Sequence, residues 1–271
     1  METLSKSNIS NLTPFSTARQ ILTALGIALF SVLLLATAHG QSVLAGWDTS
    51  TLAGGTNNFG PSPFAPTTLN PNISSSGFIR GTGVSQSGSA VAGGWGGTNW
   101  VATTEAAAIT ASTYFTFTLR PAAGTTMSLA SLNPFSYRRS GTGPTSGALQ
   151  YSTDGSSFTD IATYGYTSTS SSGATLASTS LGAVAALQNV PDSTTITFRV
   201  VNWGASGAGG TWYVYDVGGS TSNDFAINGT ITPVPEPATV LGGALLVGVL
   251  GWNQCRRLGG LAGLMRQSCA A

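Results

Sequence analysis

Lysine and histidine are almost missing from this chain, and cysteine is confined to its C-terminal end. The one lysine, Lys6, and the one histidine, His39, both precede residue 41, and the two cysteines are Cys255 and Cys269. The stretch 41–233 therefore has no Ser–His or Cys–His pair and no lysine nucleophile. A zinc site built on imidazole or thiolate is excluded there, and so is a disulfide framework. Stability must come from a packed core, which about 190 residues can supply. Charge is scarce too: Asp, Glu, Lys and Arg make up 7% of the chain. Within 41–233, five arginines (80, 120, 138, 139 and 199) face seven acids, a balance of about −2. There is no basic patch, so nucleic acid is not an expected partner. Only carboxylate chemistry remains open to an enzyme.

What is abundant is Ser, Thr, Gly and Ala, together with aromatics. Five Trp and nine Phe lie in 41–233, enough apolar area to bury a core despite the low-complexity look. Alternation is the main pattern. Phe115, Phe117 and Leu119 share one face of Tyr114–Leu119, and Ile196, Phe198 and Val200 share one face of Thr195–Val201. Trp212–Val217 is apolar on both faces, as a central strand would be, and Phe225–Gly229 reads as the closing strand. Phe135 and Tyr137 mark another. Leu149 and Tyr151 precede Asp154-Gly155, with Phe158 beyond, a hairpin signal. Residues 52–76 and 168–182 read as loops, Glu105–Ile109 as one short helical turn, and Thr230–Pro233 as the start of a linker. These observations predict an all-β fold: an antiparallel, jelly-roll-like β-sandwich over 41–232.

The two ends are of another kind. Ile21–Leu35 is a nearly unbroken apolar run with Lys6 and Arg19 before it and small residues after it. This predicts a signal peptide over 1–40, with an apolar helix, cut after Ala38 or after Gly40. At the other end stands Val234-Pro235-Glu236-Pro237-Ala238. A glycine-containing apolar run of 17 residues, Ala238–Gln254, follows, and then Arg256-Arg257. That run is at the short limit for a transmembrane helix, for which about 17–25 residues are used. The arginine pair sets a cytoplasmic stop and leaves the domain outside. Fourteen further residues, Leu258–Ala271, form a mildly apolar tail.

Pro235-Glu236-Pro237, the apolar span and the arginine pair together resemble the PEP-CTERM sorting signal of Gram-negative bacteria. The resemblance covers Val234–Arg257, and the family departs from this chain in stopping soon after its arginines. It implies export across the inner membrane, transient anchoring, and recognition and cleavage by exosortase, in bacteria that make extracellular polysaccharide. The pattern Leu149-x-Tyr151-Ser152-x-Asp154-Gly155-x-x-Phe158, with Thr197-Phe198-Arg199, Trp212 and Asp216, also loosely resembles extracellular β-sandwich domains attached to this signal. Residues 233–271 are then a sorting region. The expected product is a non-enzymatic protein of the cell surface or extracellular matrix, with weak carbohydrate binding or adhesion. The alternative is a secreted polysaccharide hydrolase using an Asp/Glu pair.

Candidate ligand residues are few. Trp95 and Trp100, in Gly-Gly-Trp-Gly-Gly-Thr-Asn-Trp, offer indole faces for sugar stacking or pack over the end of the sandwich. Arg138-Arg139 offers a basic pair to an anionic polysaccharide or to nearby acids. Asp216 interrupts an apolar strand. It would help bind Ca²⁺, which takes about six to eight oxygen ligands, or pair with a group such as Arg199.

Overall fold

A computed structural model describes residues 40–219 and 221–235, with the isolated positions 245, 248, 249 and 252. The signal segment up to His39, Glu236, Pro237, nearly all of the predicted membrane span, Arg256, Arg257 and the tail lie outside the described residues. Among the described residues no helix is long and apolar enough to cross a membrane.

Described residues 40–235 form antiparallel β-structure. The first strands are β1 (Ser42–Trp47), β2 (Gly55–Thr56), β3 (Thr68–Leu69), β4 (Ile73–Ser75), β5 (Ile79–Arg80), β6 (Ser89–Ala90) and β7 (Gly94–Gly97). The short helix α1 (Glu105–Thr110) precedes β8 (Tyr114–Pro121), β9 (Thr125–Arg139), β10 (Ser146–Ser152) and β11 (Thr159–Gly165). Then come β12 (Ala174–Thr175), β13 (Thr179–Ser180), β14 (Val190–Pro191), β15 (Ile196–Trp203), β16 (Trp212–Tyr215) and β17 (Phe225–Pro233). The larger sheet has the order β3-β1-β17-β9-β16-β7, and β12, β13 and β14 also pair with β9. The smaller has the order β11-β10-β15-β8-β4, with β5 also on β8. β9 carries β17 and then β16 along one edge, and the three short strands along the other.

The two sheets close on an aromatic core. Phe115, Phe117 and Leu119 of β8 and Ile196, Phe198 and Val200 of β15 are fully buried, as their alternation predicts. From the opposite sheet, Trp47 of β1 meets Phe117, Phe225 of β17 meets Phe115 and Phe117, and Phe225 in turn packs on Phe135 of β9. Phe78, from the connection between β4 and β5, lies at the centre. It stacks on Trp47 with ring centroids 4.0 Å apart and sets its edge against Phe115, Phe117 and Phe225. β16 is apolar on both faces because it serves two cores. Trp212 and Val214 join the main one, while Tyr213 stacks on Phe59 in a small second cluster.

Several expectations need correction. The segments 52–76 and 168–182 are not wholly loop: β2, β3, β4, β12 and β13 lie in them. Two- and three-residue strands are too short to show alternation; β3, β4, β12 and β13 pair with longer neighbours, and β2 pairs with the equally short β6. Thr230–Pro233 is the second half of β17, paired with Thr125–Ser128, and not the start of a linker. Among the described residues the last backbone tether is Val234 N–H donating to Gly124 O at 2.8 Å. The hairpin at Asp154-Gly155 is present, joining β10 to β11. Its connection is longer than a two-residue turn and is built on Asp154, whose Oδ1 accepts from Ser152 Oγ and from the backbone of Ser156 and Ser157. Those bonds, the Ser157 backbone first, hold the Asp154 carboxyl well below the usual carboxylate range.

β1 and β17 are antiparallel neighbours, with Ser42 opposite Gly229. The first and last strands therefore leave the domain at the same end. The opposite end, where β1 finishes at Trp47 and β17 begins at Phe225, is about 27 Å away at the usual strand rise.

Candidate functional site

Two polar constellations lie outside the core. The first is a row across the outer face of the smaller sheet. Asp160 of β11 pairs in register with Gln150 of β10, Gln150 with Arg199 of β15, and Arg199 with Thr116 of β8. Alternation places this row on the face opposite Leu149, Val200 and Phe115. Thr104 caps α1, its hydroxyl accepting from Ala107 N–H, and this sets Glu105 above the row. Gln150 is buried, and its amide nitrogen donates to Glu105 Oε1 at 2.7 Å and to Asp160 Oδ1 at 2.6 Å. Its carbonyl accepts from Arg199 Nε at 2.7 Å, and the guanidinium lies 3.8 Å over the Phe158 ring. Burial first, and then the charge of Asp160, push the Glu105 pKa up.

A carboxylate pair with one raised pKa is what a glycosidase needs, but a retaining enzyme spaces its two carboxyls about 5–5.5 Å apart with the sugar between them. Glu105 and Asp160 instead bond to one amide nitrogen, which fills that space. The row is best understood as a polar staple that holds α1 to the sheet.

The second constellation is a pocket of about 430 Å³. It is at the end of β1 and β17 remote from Val234. Tyr215 and Asp216, where β16 ends, form one wall; Ser50, beyond β1, and Ser171 and Ser172 supply hydroxyls; Gly93 closes it from the side. Two glycines are required for this shape. Gly93 has φ +72°, and a Cβ on it would sit 3.2 Å from Asp216 Cβ. Gly173 has φ +75°, and a Cβ there would sit 2.7 Å from the Tyr215 ring. Asp216 N–H donates to Gly93 O at 2.9 Å, which ties the wall to the β6–β7 connection. Behind the ring, the Arg138 guanidinium lies 5.2 Å from the Tyr215 centroid, and Nη1 reaches its hydroxyl at 3.4 Å.

The chain matches no family model, no curated protein and no solved structure. The site must be judged from its own chemistry.

Of the residues singled out in the sequence, Trp95 and Trp100 take the packing alternative. Each is 1% exposed. Trp95 Nε1 donates to Pro61 O at 2.7 Å and the ring is covered by the Arg80 guanidinium at 4.4 Å. Trp100 Nε1 donates to Gly97 O, and its ring meets Trp212 edge-on. Neither indole face is free for a sugar, because the glycines around them let the backbone fold tightly over both rings. The arginine pair divides. Arg139 is committed to Tyr166 O, Ser140 O and Gly143 O, while Arg138 reaches the pocket wall. Arg199 is held by Gln150 on the smaller sheet, while Asp216, just beyond β16, lines the pocket. Among the described residues no group of three metal-ligating side chains forms, so the Ca²⁺ expectation for Asp216 has no carboxylate cluster behind it.

Sequence reasoning placed Tyr215 in a strand without marking it as a site residue, and missed Ser171 and Ser172, ordinary residues of a Ser-rich loop. It also missed Asp224. This side chain is 3% exposed, and its Oδ2 accepts both the Thr49 backbone N–H and the Thr49 hydroxyl at 2.8 Å. Burial raises its pKa to about 6, helped by the charges of Asp216 and Asp48 and opposed by the Thr49 bonds. An unfolded aspartate titrates near 3.9. Between about pH 4 and about pH 6 the folded state therefore holds more protons, and the Asp224 contribution to stability falls as pH rises through that window. Asp224→Asn keeps an oxygen for Thr49 and removes the titration. The stability difference between wild type and this variant, followed by urea midpoints, is expected to change between pH 4 and 6 and to be flat from pH 7 to 8.

Proposed function

We propose that this chain is an exported, non-enzymatic protein of the bacterial cell surface or extracellular matrix, sorted by exosortase, whose domain binds extracellular polysaccharide weakly. The observation that carries the reading is where the last described strand stops. Among the described residues β17 runs to Pro233 and the last backbone tether is at Val234, immediately before Pro235-Glu236-Pro237 in sequence. A membrane-embedded peptidase would thus find its motif next in sequence to the closing strand. Likewise β1 begins at Ser42, just beyond either predicted cleavage position, so removing residues 1–38 or 1–40 takes away none of the described strands. Both ends leave on one side, as suits a domain held at a membrane by either terminus. The missing Cys, His and Lys in 41–233 favour a binding role over catalysis.

The strand order supports reading the sandwich as a jelly roll. Counting β12–β14 as one interrupted strand, and setting aside β16 and the strands shorter than five residues elsewhere, the sheets read 1-8-3-6 and 2-7-4-5 in chain order. That is the arrangement of two Greek keys facing each other, with β16 and β7 added beside β9.

Mass spectrometry of the native product tests the reading. A mature N-terminus at His39 or Gln41, a C-terminus near Pro235–Pro237, and recovery outside the inner membrane are expected. An intact chain resident in the inner membrane at steady state would overturn it.

A further inference from the structure

We propose that the pocket beside Tyr215 and Asp216 binds a sugar unit of a neutral, hydroxyl-rich polysaccharide. This rests on the reading of the chain as a surface protein and gives that reading a site and a ligand class.

The lining decides the chemistry. Ser50, Ser171 and Ser172 provide hydroxyls that both donate and accept, and Asp216 provides carboxylate oxygens that accept only. A polyol matches this mixture, because each of its hydroxyls donates once and accepts as well. Tyr215 adds an aromatic surface with a polar tip, the combination suited to a pyranose ring. The walls hold too little hydrocarbon for an apolar ligand: serine and glycine dominate, and the glycine turn Gly218-Gly219 closes one side.

Charge selects among sugars. The charged residue among those lining the pocket is Asp216, whose carboxylate repels a uronate or sulfate. Arg138, the cation at hand, is held against the ring and hydroxyl of Tyr215 and is not among the groups lining the pocket. A neutral glycan escapes this repulsion. The volume, about 430 Å³, lies in the lower part of the roughly 300–1,000 Å³ used for small ligands. It suits one or two sugar rings.

Position makes the site useful. Ser50 follows the far end of β1, and Asp216 belongs to the connection that leads into the start of β17. The pocket therefore faces away from the end at which the chain continues into Pro235. A domain tethered there would present the pocket outward to polymer.

The test uses the full chain in mild detergent, by affinity electrophoresis in gels containing soluble β-glucan, galactomannan or, as the anionic comparison, alginate. Wild type should be retarded by at least one neutral polymer and not by alginate. Asp216→Asn and Tyr215→Ala should each weaken retardation about tenfold, while the remote Glu105→Gln binds as wild type. Asp216→Asn preserves shape, so it remains decisive if Tyr215→Ala lowers the melting temperature. No retardation by either neutral polymer overturns the proposal, and so does binding to alginate alone. Wild-type binding by both Asp216→Asn and Tyr215→Ala also overturns it. Export is read separately: a correctly released protein that ignores neutral glycans removes the pocket assignment and leaves the sorting reading standing, whereas a glycan-binding protein retained in the inner membrane does the reverse.

Discussion

Phe78→Ala should destabilise the domain by about 3–5 kcal/mol, the range for removing a large buried ring. For a domain near 190 residues each kcal/mol moves the melting temperature by about 2–4 °C, so a fall on the order of 10 °C is expected. The reason is its position and not only its size. Phe78 comes from neither major sheet strand, yet it is fully buried and touches six other rings: Trp47, Phe64, Trp95, Phe115, Phe117 and Phe225. It fills the space where the two sheets meet, and its neighbours are themselves wedged by Phe135 and Trp212. Collapse into the cavity would require several packed rings to move together, so the cavity term is retained in full. With no disulfide in the domain there is no covalent brace to limit the loss. Thermal unfolding followed by tryptophan fluorescence provides the measurement. As a comparison, Phe158→Ala removes a half-buried ring on the outer face and should cost far less. A shift below 2 °C for Phe78→Ala would mean that the sheets do not close on this ring.

The parts of this core visible in the sequence were those with clean alternation. β8 follows period two throughout and β15 follows it as far as Val200, so their inward faces could be named residue by residue. β9 could not. Its buried positions Met127, Leu129, Leu132, Phe135 and Tyr137 change spacing in the middle, and the pairing with β17 shifts register at two places. A bulge breaks the period on which the reading depends. Phe78 itself sits between two- and three-residue strands, where no pattern exists to mark it. The pocket was half legible. Asp216 announced itself as a charge in an apolar strand, and Arg138 as part of a basic pair. Asp224 and the serines carried no signal, because their role comes from loops that approach only in the folded chain: Thr49 and Asp224 bond across 175 positions of sequence. Trp95 and Trp100 misled for a related reason. Glycine-rich flanks suggest an open loop, but the same flanks allow close approach, and Gly96 lies so near Trp212 O that a Cβ there would stand 1.9 Å away.

Replacing Glu236 with Ala, together with Arg256→Gln and Arg257→Gln, should convert a released protein into a membrane-bound one that keeps its full C-terminus. Two effects combine. The change at Glu236 alters the motif that exosortase would read. The arginine changes remove the basic part of the same tripartite signal and leave the 17-residue apolar run in place. Folding of the domain should be untouched, since among the described residues the last strand ends at Pro233 and the last tether is at Val234. Equal melting temperatures for the purified variant and wild type would separate a sorting defect from a folding one. Immunoblots of membrane and extracellular fractions read the outcome: nearly all of the variant should be cell-associated and larger than the released wild type. A stop at Leu258 is the complementary case. It deletes the fourteen-residue tail and leaves the motif, span and arginines in place, so release should continue at the wild-type level or above. Unchanged release of the triple variant would overturn the sorting assignment. The polar pocket would then belong to a protein placed by some other means, because its chemistry depends on Tyr215, Asp216 and the serine loops and not on the route by which the domain leaves the cell.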